Sequence, residues 1–107
     1  MNELNIYTKF NYKKIVKNAN IFFDNNYNQL KYKTVFANKD DTFTVSIYKH
    51  SIRICYWNEN TEKGNQSKIL LKKFLVNNFS GNTLIISTYG NCDIINQPNT
   101  FKTIQLM

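Results

Sequence analysis

The sequence predicts an α+β fold, an antiparallel meander sheet packed on one face by two helices, in the order (β)αβββαβ(β)β. Three observations predict it. Segments 11–25 and 68–79 carry apolar residues at helical spacing. Segments 30–37, 42–49 and 52–58 between them alternate apolar and polar residues. The connections joining those three are only a few residues long, which forces neighbouring strands to run antiparallel.

Each element has its own signal. Segment 4–10 sets Leu4, Ile6, Thr8 and Phe10 against Asn5, Tyr7 and Lys9, the period of a strand. In the first helix, Tyr12, Ile15, Val16, Ala19, Phe22 and Phe23 form one stripe. Asn11 is its expected N-cap and Asp24-Asn25-Asn26 its expected end. Residues 59–66 read as a polar loop, and Ser67 as the cap of the second helix, whose stripe is Leu71, Phe74, Leu75 and Phe79 with Leu70 beside it. Ser80-Gly81 supplies a stop suited to a left-handed cap. A strand over 84–89, a turn at Gly90-Asn91, a short strand at Ile94-Ile95, a turn at Pro98-Asn99 and a last strand over 101–106 complete the chain.

The meander's register can be tested by asking which pairing sets apolar opposite apolar. Closing the first connection around Asn38-Lys39-Asp40-Asp41 pairs Phe36 with Phe43, Thr34 with Val45 and Tyr32 with Ile47. Closing the second around Lys49-His50 pairs Ile47 with Ile52, Val45 with Ile54 and Phe43 with Tyr56. Both place Phe43, Val45 and Ile47 on the apolar side, so one face of the sheet is buried. Lys49-His50 lacks the glycine or asparagine of a primed two-residue turn, which predicts a longer loop there.

The 107 residues show no internal repeat and no linker composition, so 1–107 is expected to be a single globular domain. No run approaches the ~20 apolar residues of a membrane span, and Met1-Asn2-Glu3-Leu4 does not open a signal peptide. The expected location is the cytoplasm, with no membrane partner. Cys55 and Cys92 fit a reducing compartment, as small hydrophobes of strand-like segments.

The order α–β–β–β–α is similar to that of double-stranded-RNA-binding domains, and strand–strand–strand–helix to the sheet-reading DNA-binding domains of some integrases. The chain lacks a glycine-proline-histidine type loop between its first two meander strands. It also lacks a basic, alanine-rich opening to its second helix, and it is assigned to neither family.

Fourteen Lys and Arg face seven acids, giving a formal charge of +7. Such a balance attracts phosphate and speeds encounter with nucleic acid. The abundance of Asn, Lys, Ile, Tyr and Phe, all encoded by A/T-rich codons, offers a second, compositional source for the lysines. Position therefore matters more than number. If Phe43, Val45, Ile47, Ile52, Ile54 and Tyr56 face the core, the other side of the meander carries Lys31, Lys33, Val35, Thr44, Ser46, Tyr48, Arg53, Cys55 and Trp57. Lys31 is expected beside Tyr48, and Lys33, Ser46 and Arg53 in line across three strands. Cations there would meet phosphates, and Tyr48 or Trp57 would stack on bases. The expected site is Lys31, Lys33, Ser46, Tyr48, Arg53 and Trp57. The competing reading is a solvated face, or one covered by the terminal strands. The helical lysines Lys13, Lys14, Lys17, Lys68, Lys72 and Lys73 are expected to point away from it.

The expected function is a non-enzymatic binding protein acting on nucleic acid or a nucleoprotein, with no cofactor. Tyr, Trp and Arg also dominate protein interfaces, so the alternative is a phage or mobile-element inhibitor that binds a protein partner, such as an anti-CRISPR, an immunity protein or an antitoxin. A second alternative is a small ribonuclease using His50 as base, with Lys49, Arg53 or Tyr48 stabilising the phosphate. No Cys/His set has zinc spacing, Asp40-Asp41 reads as turn chemistry, and Gly64, Gly81 and Gly90 are isolated.

Overall fold

Alternating apolar residues make the strands, and one buried face gathers them against the helices. The computed structural model describes residues 2–23, 27–57 and 60–79 with their side chains, and the backbone of 84–89 and 102–105. In chain order the elements are β1 (Asn2–Tyr7), α1 (Tyr12–Phe22), β2 (Tyr27–Leu30), β3 (Lys33–Ala37), β4 (Phe43–Tyr48), β5 (Ile52–Tyr56), α2 (Glu62–Asn78), β6 (Leu84–Tyr89) and β7 (Lys102–Gln105). The sheet order is β2-β3-β4-β5-β1-β6-β7. Strands β2 to β5, β1 and β6 pair antiparallel. The β6–β7 pair is parallel, so the sheet is not a meander throughout.

The helices cover one face, as the α+β pattern requires. Leu4 and Ile6 of β1, Phe36 of β3, Phe43, Val45 and Ile47 of β4, and Ile52, Ile54 and Tyr56 of β5 are buried together with Ile15, Ala19 and Phe23 from the α1 segment and Leu71, Phe74 and Leu75 of α2. Phe74 is the hinge of this packing. Its ring lies 4.9 Å from Phe23, 6.0 Å from Phe22 and 6.2 Å from Phe79, spacings that favour offset and edge-to-face aromatic contact. The stripes expected of both helices are therefore the ones that pack.

Several boundaries differ from expectation. The segment 30–37 is two strands: β2 and β3 form a hairpin around Lys31-Tyr32, so Lys31 sits in a turn and not on the sheet face. Alternation runs unbroken through the turn, which hides it. The β3–β4 register is slipped by two residues, pairing Lys33 with Tyr48, Thr34 with Ile47 and Phe36 with Val45. A slip of two preserves which side chains face in. The β4–β5 register is the one expected, including Ile47↔Ile52 and Phe43↔Tyr56. The longer loop predicted after Tyr48 is absent: Tyr48 N donates to Ser51 O at 2.8 Å, closing a two-residue turn over Lys49-His50.

Helix α2 starts six residues before the expected position, capped by Thr61, whose hydroxyl accepts from Gly64 N at 3.1 Å. Its first turns are polar, with a buried glycine at Gly64, and show no apolar period. Ser67 is therefore inside the helix, where its hydroxyl meets Thr42 Oγ1 at 2.7 Å and accepts from Asn38 Nδ2 at 3.3 Å. Asn38 also contacts Thr42 through its amide and accepts from Thr42 N and Phe43 N, tying the β3–β4 turn to α2. Asn11 caps α1 as expected, accepting from Lys14 N at 3.1 Å. The expected helix end at 24–26, the Gly81 cap, the Gly90-Asn91 and Pro98-Asn99 turns, the Ile94-Ile95 strand and Cys92 lie outside the described residues. Among the described residues no helix is long and apolar enough to cross a membrane.

Candidate functional site

Strand direction decides where the charged residues meet. β1, β2 and β4 run one way and β3 and β5 the other. The ends of β1 and β4, the start of α1, and the turns Lys31-Tyr32 and Lys49-His50 thus share one end of the molecule. That end carries Lys9, Lys13, Lys14, Lys31, Lys33, Lys49 and Arg53. The four described acids lie at the other: Glu3 at the start of β1, Asp40 and Asp41 in the β3–β4 turn, and Glu62 at the start of α2. There Lys63 pairs with Asp40 at 3.2 Å, an exposed and weak ion pair.

At the basic end, Lys33, Tyr48 and Arg53 come together on the open face of the sheet. Arg53 donates from a guanidinium nitrogen to Tyr48 Oη at 3.0 Å, and Lys33 Nζ lies 5.7 Å from the centre of the Tyr48 ring. The Arg53 hydrogen bond, helped by the nearby charges of Arg53 and Lys33, holds the Tyr48 phenol below its usual pKa against an opposing push from burial. The same bond raises Arg53. Ser46 pairs with Arg53 across β4 and β5, as expected, but Val35 rather than Lys33 completes that row. Cys55 lies on the same face, its thiol pushed up by burial and by Glu3.

The expected patch is not one cluster. Lys31 has moved to the β2–β3 turn, its ammonium 5.2 Å from the Tyr32 ring centre. Trp57, whose backbone N–H bonds Thr42 O, stands at the acidic end, about 20 Å along the strand direction from Tyr48. It is 47% exposed and belongs to a different part of the surface. The terminal strands do not cover the open face: β1 joins the sheet beside β5, and β6 and β7 extend it further.

The structure adds a feature the sequence reading missed. A cleft of about 520 Å³ lies between the start of α1 and the two turns, lined by Asn11, Tyr12, Lys13, Gln29, Leu30, Lys31, Tyr32 and Lys49. Its volume falls within the roughly 300–1,000 Å³ typical of small-ligand sites. Helix α1 packs on the buried face, so its outward lysines do point away from the sheet's open face. Its first turn, however, reaches the shared end and brings Lys13 to Lys31 and Lys49. Seeing this requires the β2–β3 turn, which no local signal announces.

This end also departs from ordinary local chemistry. Lys13 and Lys14 occupy the first turn of α1, where the helix dipole favours acids, and no acid is present there. His50 is exposed at its turn. Among the described residues, no group of three or more His, Cys, Asp and Glu is placed to hold a metal ion. Compared with known proteins, the chain matches no family model, no curated protein and no solved structure.

Proposed function

We propose that this protein binds nucleic acid, alone or within a nucleoprotein, as a non-enzymatic module whose contact surface is the basic end of the sheet. The observation that carries the reading is segregation: Lys13, Lys31 and Lys49 line one cleft, Lys33 and Arg53 stand on the adjoining open face and Lys9 and Lys14 lie at the same end, while the described acids lie at the far end with Lys39 and Lys63 among them. A lysine excess arising from composition alone has no reason to sort in this way. Cations held close together also repel one another, a cost that a polyanion offsets by bringing phosphates among them and releasing its own counterions.

Fluorescence anisotropy of labelled DNA and RNA, titrated at several salt concentrations, tests the reading. The expected result is an affinity that falls with log salt, at about −0.7 to −0.9 per phosphate contact. Charge removal at Lys31, Lys33 and Arg53 should weaken binding and flatten that slope. No binding near physiological salt sinks the proposal.

A protein partner is the second reading. The outer side of α2 exposes Ile69 and Val76, with Lys72 and Lys73 between them. A protein-binding inhibitor predicts that Ile69→Asp with Val76→Asp abolishes complex formation while nucleic-acid affinity is unchanged.

A further inference from the structure

The two turns at the basic end lack both the residues and the backbone geometry usual for two-residue hairpin connections. Each is a two-residue hairpin connection, Leu30 pairing with Lys33 around Lys31-Tyr32 and Ile47 with Ile52 outside the Tyr48–Ser51 closure around Lys49-His50. Such connections follow the twist of their strands in I′ or II′ geometry, which needs positive φ at the first central residue and is supplied by Asn-Gly, Asp-Gly or Gly-X. Among the described residues, Asp41 is the one non-glycine with positive φ. Neither turn is therefore primed, and both trade turn stability for a lysine followed by an aromatic ring. Local rules broken together at one place mark sites where side chains serve something other than the fold. Tyr32 makes the point most sharply. At the tip of a hairpin it is 74% exposed, where a large ring contributes little to the core.

From this pairing of Lys-Tyr and Lys-His tips across the cleft, and resting on the nucleic-acid reading above, we infer that the ligand is single-stranded. A duplex hides the faces of its bases in its own stack and offers an exposed ring nothing to lie on. A single strand offers a phosphate for each lysine and a free base face for the neighbouring ring. Tyr32 takes a base, Lys31, Lys49 and Lys13 take the flanking phosphates, and the cleft between the tips and α1 receives the strand. The sugar matters less to this chemistry, so single-stranded DNA and RNA are separate arms of the test.

The experiment uses fluorescein-labelled, unstructured twelve-nucleotide DNA and RNA strands, and blunt duplexes of the same sequences, titrated with the whole protein. Single strands are expected to bind at least tenfold tighter than duplexes of equal length. Tyr32→Ala should lose roughly 5- to 150-fold for single strands, the range given by base–aromatic stacking, with its salt slope unchanged because no charge is removed. Tyr32→Phe should retain binding. The double variant Lys31→Asn, Tyr32→Gly gives the hairpin a primed turn, so it should melt no lower than the parent while losing the single-strand preference. Duplexes binding as tightly as single strands, or Tyr32→Ala binding unchanged, would overturn the inference and leave the nucleic-acid reading standing. Failure of every oligonucleotide to bind removes both.

Discussion

Tyr48 meets both cations of the open face, Arg53 at its phenol oxygen and Lys33 near its ring. Alternation along β4 places it on the open face, and the slipped register exchanges one lysine neighbour for another, Lys33 for Lys31. The Arg53 hydrogen bond makes its phenol a probe of the site. Its pKa is lowered from the ordinary value near 10, so absorbance titration at alkaline pH should show Tyr48 ionising below that value, and Arg53→Ala should move it back up. Any stability linked to this phenolate is present above the unfolded pKa and fades as pH falls through the folded one. Asp41 is the converse case, a residue set by backbone alone. Its φ of 53° is tolerated by Asp or Asn and poorly by a β-branched residue. Asp41→Val should cost about 1–2 kcal/mol by denaturant melting, and Asp41→Asn almost nothing.

Among the elements, strands and helix faces with an apolar period were legible, and a turn without turn residues and a helix start without apolar residues were not. The β4–β5 pairing could be read from Phe43, Val45 and Ile47 because one buried face fixes it to within two residues. The β2–β3 hairpin could not, since Lys31-Tyr32 carries no turn signal and keeps the strand's period. The start of α2 was hidden because Glu62 to Gln66 have no apolar period to read. Its Thr61 cap has a measurable weight: Thr61→Ala should lower stability by about 1 kcal/mol. Asn38 holds the β3–β4 turn to α2 through Ser67 and Thr42, and losing it leaves partly buried donors without partners. Asn38→Ala should cost about 1–3 kcal/mol, and a full-length thermal melt would show whether that turn and helix are coupled. The candidate site was half legible for the same reason. Residues placed by alternation (Lys33, Ser46, Tyr48 and Arg53) lie on the expected face. Those placed by turns (Lys31, Tyr32 and Lys49) create a cleft that no period describes.

Over the whole molecule, one apolar core joins both helices to the sheet, and the charges sort along the strands. Phe74, fully buried among Phe22, Phe23 and Phe79, carries the first property. Phe74→Ala should cost about 3–5 kcal/mol, a large share of the 5–15 kcal/mol that folded domains possess.

The sorting of charge along the strands also decides how other chain segments attach. β1 begins at the acidic end, and the parallel β7 runs from the basic end back toward it, Lys102 opposite Leu84 and Gln105 opposite Ser87. β1 therefore enters the sheet on the side turned away from the basic end, while β7 ends level with the middle of β1. On the proposed nucleic-acid reading, a bulky fusion ahead of Asn2 should leave both the affinity and its salt dependence intact. The two hairpin tips, at the opposite end of the strands, stay clear of such a passenger.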